Sequence, residues 1–220
     1  MWGMTLSLIP AELEVTRQLV ERAGTYYAGR YYDEAIAILE RLHRKDPDSG
    51  LVKIFLAHCY FSKGYEAFWP WKKDEWAYKG ITLMNDAVTK NPHSIFIRLE
   101  HFKGLTWLPS HYKTAELGFR DMPILLEQID FLDFESLKTE FDLWDAFMQF
   151  KPYKPNEQWL KVFLKQMIYC HAGDKYYAMG NNESARIMME EAEKLGTDLF
   201  YGIYASSWLV QHGYKDTKTN

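Results

Sequence analysis

Ala23-Gly24-Thr25-Tyr26-Tyr27-Ala28-Gly29-Arg30-Tyr31-Tyr32-Asp33-Glu34-Ala35 returns, with a one-residue gap, as Ala172-Gly173-Asp174-Lys175-Tyr176-Tyr177-Ala178-Met179-Gly180-Asn181-Asn182-Glu183-Ser184-Ala185. In both copies a small pair and two tyrosines precede a turn glycine, and an alanine then opens a second amphipathic run. That order of residue types is what a helical hairpin built to stack requires, so the chain reads as an internal repeat.

The spacing extends the repeat. After Ala35 come Leu39, Leu42 and Asp46-Pro47, and the next segment places Leu56-Ala57, Tyr60 and Gly64 where a period of about 34 residues expects them. The pattern resembles the tetratricopeptide repeat family. Its marked positions fall on Gly24, Ala35, Leu42 and Pro47 in one copy; on Ala57, Tyr60, Gly80, Ala87 and Pro92 in a second; and on Gly173, Tyr176, Ala185 and Ala192 in a third. The resemblance covers 11–94 and 157–200. It implies an all-α α-solenoid of stacked antiparallel hairpins, a right-handed superhelix within a single domain.

The residue types have a physical reason of their own. Two antiparallel helices approach closely only where side chains are small. Gly24, Ala35, Gly173 and Ala185 are therefore expected at the crossings, with Leu39, Tyr60 and Met189 filling the space beside them. Glycine inside a helix costs about 1 kcal/mol relative to alanine, so Gly24 and Gly173 point to a packing demand that offsets the loss.

Along the chain, repeat 1 occupies 10–49, with Gly29 ending its first helix and Asp46-Pro47 closing its second. Repeat 2 occupies 50–94. Lys63-Gly64 reads as its turn, 65–76 as an aromatic insertion, and Asn91-Pro92-His93-Ser94 as the cap of the next helix. Residues 95–150 read as degenerate hairpins, with helical runs at 95–106, 123–131 and 136–150. The two prolines of 151–156 make a connector, 157–197 is repeat 3, and 198–212 is a capping helix before a polar tail.

Composition narrows the function. A net charge of −4, with Arg41-Leu42-His43-Arg44-Lys45 as the densest basic run, argues against nucleic acid as a partner. No run reaches the roughly 18 to 20 apolar residues that span a bilayer, and Met1 to Pro10 lacks the basic and apolar regions of an export signal, so the expected location is cytoplasmic. Cys59 and Cys170 read as buried, reduced small hydrophobes. The seven histidines show no dense ligand spacing, and no phosphate loop or nucleophile elbow is present. His58-Cys59 and Cys170-His171 would make a thiol-imidazole or metal site only if they converged, and the acidic run 127–135 reads as a solvated helix end. No catalytic residue, metal or cofactor is expected.

Members of the resembled family bind extended peptides or helices of other proteins on the concave face lined by their first helices. By that resemblance the lining positions are Gln18, Glu21 and Thr25; Ile54, His58 and Phe61; and Cys170, Asp174 and Tyr177. A groove carrying Glu21 and Asp174 favours a basic or neutral partner. Phe68, Trp69, Trp71 and Trp76 of the insertion are a second candidate: they either fold back to plug the groove or cover the second repeat, or face water as a patch that needs a partner. The expected function is a non-enzymatic scaffold for a protein or peptide. The alternative is a small-molecule binder, such as a ligand-capturing component of a transport system, with its pocket closed by the middle segment and the tryptophans.

Overall fold

Prolines, glycines and asparagines set most of the helix ends. The computed structural model describes residues 8–149 and 156–216, and these are all-α, with no strand among them. The helices are α1 (Leu8–Ala28), α2 (Tyr32–Lys45), α3 (Gly50–Glu66), α4 (Pro70–Lys90), α5 (Ile95–Trp107), α6 (Ala115–Asp130), α7 (Phe134–Met148), α8 (Glu157–Ala178), α9 (Asn182–Lys194) and α10 (Phe200–Gln211), with one turn of 3-10 helix at Ser110–Tyr112. The cap expected within 91–94 is Ser94, and two asparagines not singled out from the sequence cap later helices. Ser94 Oγ accepts the Ile97 N–H at the start of α5, Asn156 Oδ1 accepts Trp159 N–H before α8, and Asn181 Oδ1 accepts Ser184 N–H before α9. The connector expected over 151–156 lies, except for Asn156, outside the described residues, as does the end of the tail.

The two copies of the opening motif form hairpins with identical hydrogen bonding. Arg30 N–H donates to Tyr27 O and Tyr31 N–H to Tyr26 O; Gly180 N–H donates to Tyr177 O and Asn181 N–H to Tyr176 O. These equivalent residues are a constant 150 apart in number, so the structural repeat has no gap. Gly29 ends α1 in the turn, as the sequence suggested, but the left-handed position is Arg30 (φ 65°) in this copy and Gly180 (φ 78°) in the other. Gly24 and Gly173 are not equivalent either. A Cβ on Gly173 would touch Met189 of α9 at 2.9 Å, as a hairpin crossing requires, whereas a Cβ on Gly24 would run into the main chain of Phe147 in α7.

The expected turn at Lys63-Gly64 is absent. Gly64 is buried inside α3, where an added Cβ would come within 3.1 Å of Trp76 Cβ, so the glycine serves the α3–α4 crossing. The turn falls at Ala67–Trp69, and Pro70 opens α4 at a position where its fixed φ suits a helix and its missing N–H costs no hydrogen bond. The extra residues of this repeat therefore lengthen its second helix, α4 having 21 residues where α2 has 14 and α9 has 13, instead of forming an inserted loop. Likewise the run expected from Pro123 starts earlier, at Ala115, with Pro123 inside α6.

Where the sequence reads as one domain, packing divides the chain into two compact units. Among the described residues the first comprises 8–101 together with 135–149, and the second comprises 102–134 together with 156–216. The cause is α7. Its Phe141, Trp144 and Phe147, spaced by three, lie on one face and are buried, returning the chain to the first unit. In the second unit α9 packs on α8 and α10 packs on both. Cys170, Met189, Ala192, Ala205 and Trp208 form the centre there, and Phe119 of α6 stacks on Tyr176 with ring centroids 4.6 Å apart.

Candidate functional site

The face that α1, α3 and α5 share in the first unit is occupied by the chain itself. Phe147 stacks on Phe55 of α3 at 4.3 Å and lies 5.2 Å from Tyr27 of α1, while Phe96 of α5 meets Phe141 at 5.8 Å and Trp144 at 5.2 Å. Beneath them Glu100, fully buried, accepts Trp144 Nε1–H at 2.9 Å and meets His58 Nε2 at 2.8 Å. A buried carboxylate needs such partners, because desolvation without them costs several kcal/mol. The helix end is tied down as well, with Gln149 Nε2 donating to Thr25 Oγ1 at 2.6 Å.

Of the groove residues named from the sequence, Gln18 is exposed and donates to Glu14 of its own helix at 3.0 Å. Ile54 and Phe61 are buried, and Phe61 turns toward α4, where a Cβ on Gly80 would overlap its ring. His58 is engaged by Glu100. Glu21 and Thr25 stay exposed, but on the seam with α7, in a cleft they share with Arg17, Asp142, Asp145 and Gln149. In the second unit the corresponding set faces α10. Cys170 Sγ–H donates to Tyr201 O at 3.3 Å, Asp174 accepts from Tyr204 O–H at 2.7 Å, and Tyr177 makes edge contacts with Trp208 and His212. The concave set expected by resemblance is thus divided: Ile54, His58 and Phe61 in one unit and Cys170 in the other are covered by the chain itself, while Gln18, Glu21, Thr25 and Tyr177 stay exposed. Sequence reasoning missed Glu100, Trp144 and Phe147. The available signal was the Phe-x-x-Trp-x-x-Phe spacing of 141–147.

Thiol chemistry is disfavoured at both cysteines. Burial raises the Cys59 thiol far above its usual range, and burial aided by Asp174 pushes Cys170 up to about 12. The acidic run ends α6 as expected of a helix terminus, with Asp130 Oδ1 accepting from Lys165 Nζ at 2.5 Å. Among the described residues no group of three or more His, Cys, Asp or Glu is placed to hold a metal ion. None of the described helices is long and apolar enough to cross a membrane.

The aromatic segment is different. Trp76 is pinned into the α3–α4 hairpin, 5.2 Å from the Tyr60 ring, with Lys63 Nζ and Lys79 Nζ at 4.9 and 4.4 Å from its own. The other three rings face water: Phe68 is 84%, Trp69 52% and Trp71 60% exposed. Trp69 and Trp71 stack at 4.7 Å, and Phe68 stands edge-on to Trp69 at 4.9 Å. Beside them a cleft of about 400 Å³ is lined by Arg30, Tyr31, Glu66, Phe68, Trp69 and Lys72 among others, and charges of both signs are paired there, Arg30 Nε donating to Glu66 at 2.8 Å. A second, larger cleft of about 790 Å³ lies over Leu56, Tyr60, Tyr78 and Leu83, rimmed by Glu40, Arg44, Glu75 and Lys79.

Comparison with protein-family models, curated proteins and solved structures gives no match to this chain.

Proposed function

We propose that the chain is a non-enzymatic helical scaffold, a divergent array of the tetratricopeptide-repeat kind, that binds a protein or peptide partner at the tip of the α3–α4 hairpin. The observation that carries this reading is the set of Phe68, Trp69 and Trp71 held together in water at a turn. Aromatic side chains bring large apolar area at low entropic cost, and tryptophan is over-represented among residues that dominate binding energy. An exposed cluster of this kind is stable only with something to cover it, or it promotes association. The neighbouring charges are paired with one another, so a partner of low net charge fits the tip.

The test is to place a photo-crosslinking amino acid at position 68 in the native host, identify the captured protein, and reconstitute it with purified chain. Replacing Trp69 and Trp71 by serine is expected to weaken the reconstituted affinity by tenfold or more (about 1.4 kcal/mol). Unchanged affinity with the fold intact would remove the tip from the reading. The alternative, small-molecule capture, draws on the cleft over Leu56, Tyr60 and Tyr78, whose volume lies in the range of ligand sites. A fluorescence response of the purified chain to a metabolite, abolished in Tyr60→Ala, would favour it.

A further inference from the structure

We propose that α7 is a resident occupant of a helix-binding face formed by α1, α3 and α5, and that this face accepts in its place a partner helix carrying aromatic residues at three-residue spacing and a basic residue where α7 has Asp145. The site is separate from the aromatic tip.

Three observations carry this. First, α7 enters the first unit out of chain order: the chain leaves that unit at His101, contributes 102–134 to the other, and returns only for α7. It packs across α1, α3 and α5 as an amphipathic helix laid in a groove, anchored by Phe141, Trp144 and Phe147. Second, the receiving surface is prepared for a helix backbone. Gly24, with no side chain, lies under the Phe147 main chain, and its equivalent in the other hairpin copy is Asp174, so the small residue belongs to the α7 contact and not to the repeat. Glu100 offers a buried carboxylate to an indole N–H.

Third, α7 fits this face imperfectly on one side. Asp145 sits in the seam with Glu21 of α1 and Asp142 of its own helix; burial, then these two like charges, raises its carboxyl above the ordinary range. Arg17, the cation in that seam, is already bonded to Glu14 and lies 3.6 Å from Glu21. The helix then ends on Gln149 in the left-handed region (φ 56°), where a non-glycine residue is strained. Glu21 is thus ion-paired with Arg17 on its own helix while it faces the acid Asp145 on α7, where a lysine or arginine would add a cation across the seam.

The probe is a fluorescein-labelled peptide of the α7 sequence, 134–149, and its D145K variant, titrated into the full chain. The expected result is that both peptides bind Trp144→Ala chain at least about tenfold more tightly than wild type, because the resident helix no longer holds its place. D145K should outbind the parent peptide, and Glu21→Gln in the chain should erase that difference. Should Trp144→Ala fail to fold, hydrogen exchange on the wild-type chain reads the same event, since excess D145K peptide should speed exchange of the chain's own 134–149 amides. Absence of peptide binding to folded Trp144→Ala chain, or unchanged exchange in the wild type, would overturn the proposal and leave α7 as a fixed part of the core.

Discussion

Gly24 lies against the main chain of Phe147: an added Cβ would overlap the Phe147 carbonyl oxygen and stand 2.8 Å from its Cα. The α1–α7 contact is therefore an approach of backbone to side-chain-free backbone, while the Phe147 ring reaches past it to Phe55.

Gly24→Ala and Gly173→Ala should differ for this reason. The first forces backbone apart and should destabilise by about 1–3 kcal/mol in urea unfolding. The second meets Met189 Cε, a flexible end that can move, and regains up to about 1 kcal/mol of helix propensity. Its net effect should be within about 1 kcal/mol of zero. A stable Gly24→Ala would contradict the close approach.

Trp144→Phe removes the N–H given to Glu100 together with part of a fully buried indole, so a lost hydrogen bond and a small cavity act in the same direction. A hydrogen bond to a buried carboxylate is involved, so the expected loss is about 1–3 kcal/mol. Trp107→Phe, on an exposed residue, should change stability by less than about 0.5 kcal/mol. Equal effects for the two would show that Glu100 gains nothing from the indole.

These two cases mark how far the sequence could be read. Tyr26-Tyr27-Ala28 and Tyr176-Tyr177-Ala178 declared the hairpins, because a repeated cap needs repeated local chemistry and short spacing preserves it. Gly24 is legible as a packing glycine, but the repeat period points it at α2, since its true neighbour is 123 positions away and no local period reports such a contact. Gly64 looked like a turn for the same reason, its need for space arising from Trp76 across the hairpin. The exposure of Phe68, Trp69 and Trp71 depends on where the turn falls, and composition alone left covered and exposed arrangements equally open.

Acidity should act through α7. Burial raises the carboxyls of Glu140, which accepts from Ser94, and of Asp145, which also faces Asp142 and Glu21. Folding favours their protonated forms. That stabilising contribution is complete below the unfolded carboxylate range, near pH 4, and is lost as pH rises through the higher folded values. Glu140→Gln with Asp145→Asn should therefore raise the melting temperature more at pH 7 than at pH 3.5, compared with wild type at each pH. An equal shift at both values would rule the two carboxyls out. Exposed carboxylates such as Glu75, held down to about 2 by Lys72 and Lys79, act in the opposite sense but are common to both proteins and cancel.

Trp69→Ser with Trp71→Ser should leave the melting temperature nearly unchanged, because the pair contributes only its own stacking, about 0.5–1.5 kcal/mol at most. Light scattering at high concentration should fall if the tip is sticky without its partner. A large loss of stability would mean that the rings support the hairpin instead.

The placement of the two thiols makes the chain its own instrument. Cys59 belongs to one compact unit and Cys170 to the other, each shielded and each protonated, so an alkylating reagent gains access only when the surrounding helices part. Mass spectrometry of the modified peptides would then time the opening of each half separately, in the native chain and without a label, and would show whether the halves loosen together or one before the other.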